Sequence, residues 1–188
     1  MGRRDGERTV RRLGARRVST AKVPVAFEAP VAASLLGHLV SAVRGSNLYR
    51  GSSFLVDAAG EQVFNRGITI HEAPHRPRGL GSAPFDGEGV ATRERNLVDD
   101  GVLTGYCLDS YSARKLGLET TGHAGGVHNL YLAPGERTPD ALLREMGTGL
   151  LVTELIGFGV NGVTGDYSRG AAGFWVENGE IAYPVEEI

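Results

Sequence analysis

Two short turns constrain this chain more than any other feature. Asn178-Gly179 lies between "GFWV" and "EIAYPV", and Asp99-Asp100-Gly101 lies between "VATRERNLV" and "VLTGYCL". Asn-Gly and Asp-Gly accept the left-handed backbone that a tight hairpin requires, so each turn commits its flanking strands to antiparallel pairing. Glycine contributes 28 of 188 residues and is spread along the chain, which adds turns rather than one flexible linker. The helical patterns are short. From Pro30 to Val43, residues Val31, Leu35, Leu36, Leu39, Val40 and Val43 recur at three- and four-residue spacings, with Pro30 in the first turn. Ser110 to Leu116 is stopped by Gly117, and Thr138 caps a helix that enters at Pro139 and runs to Met146. Lys22 to Phe27, Gly67 to Ile70 and Asn129 to Leu132 read as extended segments. The pattern predicts an α+β fold, mostly antiparallel sheet with several short helices.

Within "TIHEAPHRPRG", His71-Glu72-Ala73-Pro74-His75 spells the pattern in which two histidines hold zinc and a glutamate activates its water. That pattern works only on a helix, where residues four apart share one face. Pro74 opposes it, lacking an amide proton and clashing with the preceding turn at a cost of about 3 kcal/mol. Pro77 follows, and the residue before each proline is pushed toward extended geometry. In an extended chain residues four apart lie roughly 13 Å from each other at ~3.3 Å per residue. The stretch therefore predicts separated imidazoles, partly exposed, with Glu72 solvated or paired to Arg76 or Arg78. A rival reading keeps His71, Glu72 and His75 as an independent zinc hydrolase with a distant third ligand such as His123 or Glu154.

Other chemistry-bearing residues are sparse. His38 sits beside an apolar helical stripe and reads as a hydrogen-bonded structural histidine. Cys107, the single cysteine, excludes an internal disulfide, fits a reducing cytosol and reads as a buried strand thiol. In "TTGHAGGVHNLYL", a glycine-rich loop offers His123 or His128 as acid or base, or else forms a mobile surface turn. Arg3, Arg4, Arg8, Arg11, Arg12, Arg16 and Arg17 crowd the start. They suggest a nucleic-acid arm or, more simply, a short helix over Glu7 to Leu13 with Val10 and Leu13 on one face. A formal net charge of -2 gives no general pull toward nucleic acid or membrane, and no apolar run approaches the roughly 20 residues of a spanning helix.

Three long segments match one family in order: "ASLLGHLVSAVRGSNLYRGSSFL", "RPRGLGSAPFDGEGVATRERNLVDDGVLTGYCLDSYSARKLGL" and "GFGVNGVTGDYSRGAAGFWVENGEIAYPVEEI". From about Arg11 the chain resembles the C-terminal domain of the TldD/PmbA metallopeptidase family, on its PmbA (TldE) side. The resemblance implies that residues 1–20 are the tail of a preceding domain or a linker helix, and that 21–188 are a C-terminal-type domain that continues past Pro184 to Ile188.

It also implies a cytoplasmic two-subunit peptidase acting on unfolded proteins or peptides, in proteolysis, peptide maturation and antitoxin turnover, with an older association with DNA gyrase. In the TldD-like subunit, a His-Glu-x-x-x-His helix and a late cysteine hold zinc. Anchored on Gly51-Ser52-Ser53, that helix places Leu36, Gly37 and Ser41 at the ligand and base positions, and the cysteine falls near Gly170. None of these can ligate zinc. The resemblance thus implies a non-catalytic partner with no metal of its own and with zinc in a TldD-like subunit. Asp166, Tyr167, Ser168, Arg169 and Gly170, between glycines where the partner keeps its ligand, are the expected substrate- or partner-binding residues. An adaptor for nucleic acid or gyrase remains the reading from a third class.

Overall fold

The computed structural model describes residues 2–188; Met1 and the side chains of Arg4 and Asp5 lie outside that description. Thirteen elements follow one another: α1 Gly2–Val10, β1 Val25–Phe27, α2 Ala29–Ala42, α3 Gly45–Leu48, β2 Ile70–Glu72, β3 Arg95–Asp99, β4 Val102–Leu103, α4 Ser110–Leu116, β5 Leu130–Leu132, α5 Pro139–Met146, β6 Gly149–Ile156, β7 Gly170–Glu177 and β8 Glu180–Val185. They form two compact units, one of residues 1–35, 136–160 and 166–188, the other of 36–135 and 161–165. The mixed fold with predominantly antiparallel sheets is the one the turns predict.

The first unit is built on the sheet β1-β6-β7-β8. Strands β7 and β8 form the hairpin at Asn178-Gly179, where both residues take positive φ, 53° and 79°. β1 joins β6 in parallel, Val25 opposite Leu150, and the other pairings in this sheet are antiparallel. Leu150, Val152, Ala171 and Val185 form its core, with Val31 of α2 packed against them. Helix α1 differs from the expected amphipathic helix: it runs from Gly2 to Val10, and Val10 and Leu13 are exposed. Charge holds this segment instead. Arg8 pairs with Glu28, Arg12 with Glu154 and Arg17 with Glu187, while Arg11 stacks over the Phe174 ring at 4.9 Å. Exposed pairs of this kind are worth only ~0–1 kcal/mol each.

The second unit contains the sheet β4-β3-β2-β5, antiparallel throughout. Asp100 and Gly101 turn β3 into β4 with φ of 45° and 86°. The strands are shorter than the alternating pattern suggested, because Thr104 onward leaves the ladder to bring Cys107 beside Arg44. Ile70, Leu97, Leu103 and Leu108 are fully buried among Leu39, Val43 and Leu48. Burying side chains of this size contributes roughly 1.5–3 kcal/mol each. Helix α4 runs from Ser110 to Leu116 as predicted and is closed by Gly117 in the left-handed conformation; at its start the Asp109 carboxylate accepts from Ser112 N–H. Among the described residues no helix is long and apolar enough to cross a membrane.

Candidate functional site: a buried glutamate held by two histidines and an arginine

The HEAPH stretch is a strand that breaks into a turn. Ile70, His71 and Glu72 form β2, and the turn begins at Pro74. Alternation along β2 puts Ile70 and Glu72 inward and leaves His71 half-buried on the other face. His71 Nδ1 lies 2.8 Å from Asn96 Oδ1, whereas His75 Nε2 lies 3.1 Å from Thr92 Oγ1. The imidazoles are committed to different partners and do not converge, as the proline predicts. Beyond Pro74 the loop is fastened by Asn129, whose side-chain amide donates to Ala73 O at 2.9 Å and to Ser82 Oγ at 2.7 Å.

Glu72 overturns the expectation of a solvated carboxylate paired to Arg76 or Arg78. It is 1% exposed. Its ladder partner on β3 is Arg95, so register alone brings the two charges together, with Arg95 Nε donating to Oε2 at 3.1 Å. His123 Nε2 lies 2.9 Å from Oε2 and 3.0 Å from Oε1. His128 donates its backbone N–H to Oε1 at 2.7 Å, and its Nδ1 lies 3.3 Å away. A buried carboxylate needs this many donors, since an uncompensated charge there costs several kcal/mol. Burial pushes the Glu72 carboxyl up, but donation from His123, its charge, the His128 amide and Arg95 together outweigh that and hold it at about 2.

The glycine-rich loop is therefore neither a mobile surface turn nor a free acid–base pair. His123 is 8% exposed and spends both ring nitrogens, Nε2 on Glu72 and Nδ1 on Thr121 Oγ1 at 2.9 Å. Asp86, also buried, grips the same loop from the "DGEG" turn. Its carboxylate accepts from the backbone N–H of Ala124, Val90 and Glu88, each at 2.9 Å. Burial opposes ionisation of Asp86, yet those three donors keep its carboxyl below the ordinary value. Arg95 also reaches Tyr106 O at 3.0 Å and Cys107 Sγ at 3.2 Å. Cys107 is the expected buried thiol, pushed up to about 11 by burial. Beside this hub opens a polar recess of about 190 Å³ lined by Arg44, Ser46, Cys107, Asp109, His123 and Gly125.

Glu72, His123 and His128 offer donor atoms within 4.8 Å of one another, the composition of a metal site. Arg95 argues against that use. Its Nη2 lies 3.1 Å from His123 Nε2 and its Nε 3.1 Å from Glu72 Oε2, so a dication would face a guanidinium across the same atoms. Two unit charges at 4 Å repel by about 4 kcal/mol at an effective dielectric of 20, and a dication doubles this. The arrangement suits a closed ion-pair hub that fixes the 122–128 loop, not an open coordination site.

The remaining candidates lie elsewhere. Glu154, the alternative third ligand, pairs with Arg12 in the first unit. Leu36 is half-buried against the second unit's core, and Gly37 and Ser41 face solvent on α2, so these positions offer zinc no ligand set. Asp166, Tyr167 and Ser168 are exposed in the β6–β7 connection, Arg169 is half-buried and Gly170 opens β7. Tyr167 bridges to Val160, and Ser168 N–H donates to Gly159 O at 2.6 Å. Arg95 and Asp86 were not anticipated from the sequence.

Residues 20–188 match the family described as the PmbA/TldA metallopeptidase C-terminal domain. The chain is 58% identical over 181 residues to metalloprotease PmbA of Escherichia coli O157:H7, covering 96% of this chain and 40% of that protein. It is 53% identical over 191 residues to the PmbA homolog of Haemophilus influenzae, covering 100% and 42%. A crystal structure from Bacteroides thetaiotaomicron, described as a candidate modulator of DNA gyrase, superposes with a TM-score of 0.95 at 35% identity, covering 100% of this chain and 42% of that one. TldE from Thermococcus kodakarensis superposes with a TM-score of 0.80 at 25% identity, covering 97% and 44%. The chain spans about two fifths of the length of the curated relatives it matches. By these matches, spread over the whole fold, the chain belongs to the TldD/PmbA metallopeptidase family.

Proposed function

We propose that this chain serves as the non-catalytic half of a two-subunit zinc metallopeptidase, working in the cytoplasm beside a TldD-like subunit on unfolded proteins or peptides. The observation that carries the reading is the ligand-free helix: α2 presents Leu36, Gly37 and Ser41 where the family resemblance puts a histidine, a glutamate and a histidine. Zinc held in the partner would activate water for attack on the peptide carbonyl. This chain would contribute walls and orientation. Holding an extended substrate still is worth several kcal/mol of barrier in its own right. Asp166 to Gly170 supply a charged, hydroxyl-bearing rim for that task, and the Glu72 hub keeps the neighbouring strands and loop of the second unit rigid.

The test is reconstitution. Purified chain and a TldD-like subunit are mixed, complex formation is followed by size exclusion, and hydrolysis of an unstructured peptide is compared with each component alone. Co-elution with hydrolysis dependent on both components supports the proposal. Hydrolysis by this chain alone, or no complex at any ratio, defeats it.

A further inference from the structure

An apolar groove of about 540 Å³ opens on the second unit beside the Glu72 hub, lined by Thr121, whose hydroxyl meets His123, and by Tyr106, whose carbonyl accepts from Arg95. Leu48, Tyr106 and Leu108 form its buried floor, and Leu116 with the exposed Leu118 forms one wall. The Tyr106 hydroxyl donates to Leu55 O at 3.0 Å and accepts from Ala59 N–H at 3.1 Å, so the ring is pinned as a rigid surface. Asp57 and Glu119 stand on the rim, and no basic residue lines the groove. Among the described residues neither carboxylate takes part in a hydrogen bond or ion pair. A second recess of about 400 Å³ adjoins the groove at Glu119 and Thr121; it adds Glu94 but also Arg93 and Arg95, so the acidic rim belongs to the first groove.

We propose that this groove binds an extended polypeptide segment bearing a large apolar residue next to a lysine or arginine. The inference rests on the proposed action on unfolded chains and specifies which segments are held. The groove accepts an apolar side chain onto its floor while the residue beside it in the segment lies over the rim at Asp57 and Glu119. Burying a leucine or phenylalanine against Tyr106 and Leu108 supplies the affinity, at about 25 cal/mol per Å² of apolar area. The unpaired carboxylates supply the selection, attracting a cationic neighbour and repelling an acidic one.

Fluorescence polarisation with the 188-residue chain alone tests this, using three labelled unstructured peptides that differ only in a central Leu-Arg, Leu-Glu or Ser-Arg pair. The Leu-Arg peptide binds about tenfold tighter than either other, a difference of about 1.4 kcal/mol. Glu119→Lys removes that preference for arginine, and Leu118→Glu abolishes binding. Both side chains are exposed, so the variants keep the parent melting temperature. Equal affinity for the three peptides overturns the proposal, as does indifference to both substitutions. Self-association lost in Leu118→Glu and not competed by the Leu-Arg peptide overturns it in favour of a second copy of the chain. No TldD-like subunit is present in this assay, so its failure leaves the pairing of subunits to be decided by reconstitution.

Discussion

His123 Nε2 lies 2.9 Å from Glu72 Oε2, joining a loop to a strand 51 positions earlier. The contact is one of several that leave the buried carboxylate no vacant side, and removing the charge strands its donors. Glu72→Gln is expected to destabilise the chain by roughly 3–5 kcal/mol, the usual cost of breaking a buried ion pair from one side. Urea denaturation measures it; a loss under 1 kcal/mol would show that the hub is dispensable.

The same carboxylate sets an acid limit. An ordinary glutamate titrates at 4.5, and Glu72 in the folded chain at about 2. A depressed folded value means that the unfolded chain takes up the proton first, so the stabilisation is complete above about 4.5 and is lost as pH falls toward 2. Two to three pKa units correspond to on the order of 3 kcal/mol. Urea midpoints followed between pH 5 and pH 2 fall steeply in the parent and much less in Glu72→Gln. Parallel pH profiles would assign the acid sensitivity to other groups.

Cys107 sets a limit at the opposite end. Burial raises its thiol from 9.0 to about 11, so the unfolded chain loses the proton first and stability is full below pH 9.0 and declines as pH rises through 11. Cys107→Ala, which cannot ionise, is expected to flatten that decline. Native Cys107 should also resist a thiol reagent at neutral pH until the chain opens, and prompt stoichiometric labelling of the folded protein would contradict its burial.

Zinc titration by calorimetry separates the letters of HEAPH from their geometry. The chain alone is expected to show no tight zinc site, and a His71→Ala, His75→Ala double variant to titrate identically. Each substitution costs only about 0.5–1.5 kcal/mol, the net value of one hydrogen bond. A sub-micromolar site that disappears in the double variant would restore the independent hydrolase.

Gly45 tests the packing beneath the polar recess. A Cβ at this position would lie 2.2 Å from Ser112 Oγ, 2.5 Å from Ser112 Cβ and 2.9 Å from Leu108 Cδ2, and both neighbours are buried. Gly45→Ala is expected to cost about 1–3 kcal/mol by overpacking. Ser112→Gly in the same chain should recover part of that loss, since the two positions share one contact. Additive losses in the double variant would place the strain elsewhere.

The elements that the sequence announces are those set by neighbours in the chain. Gly117 closes α4, Pro139 opens α5, and Asp100-Gly101 and Asn178-Gly179 turn the hairpins, each through contacts a few residues long. The hub is different, because Glu72 meets Arg95, His123 and His128 across separations of 23, 51 and 56 residues. Register and loop closure bring these together, and neither is written in local periodicity. One signal was available: Glu72 shares its side of β2 with Ile70, so once the strand was read, a carboxylate on a buried face demanded partners. The arginine-rich start misled for the converse reason. Its spacing resembles an amphipathic helix, but Glu28, Glu154 and Phe174, which engage Arg8, Arg12 and Arg11, come from elsewhere in the chain.

The parallel pairing of β1 with β6 has a consequence for how the chain is made. Val25 waits for Leu150 through some 125 residues of synthesis, while residues 36–135, an almost continuous stretch of the second unit, emerge in between. Local contacts close before distant ones because loop closure is paid first. On the ribosome the second unit is therefore expected to condense around its hub while β1 is still unpaired. The first unit is finished only when β7 and β8 leave the exit tunnel, so translation arrested before Gly170 should leave β1 and α1 as the protease-sensitive part of the nascent chain.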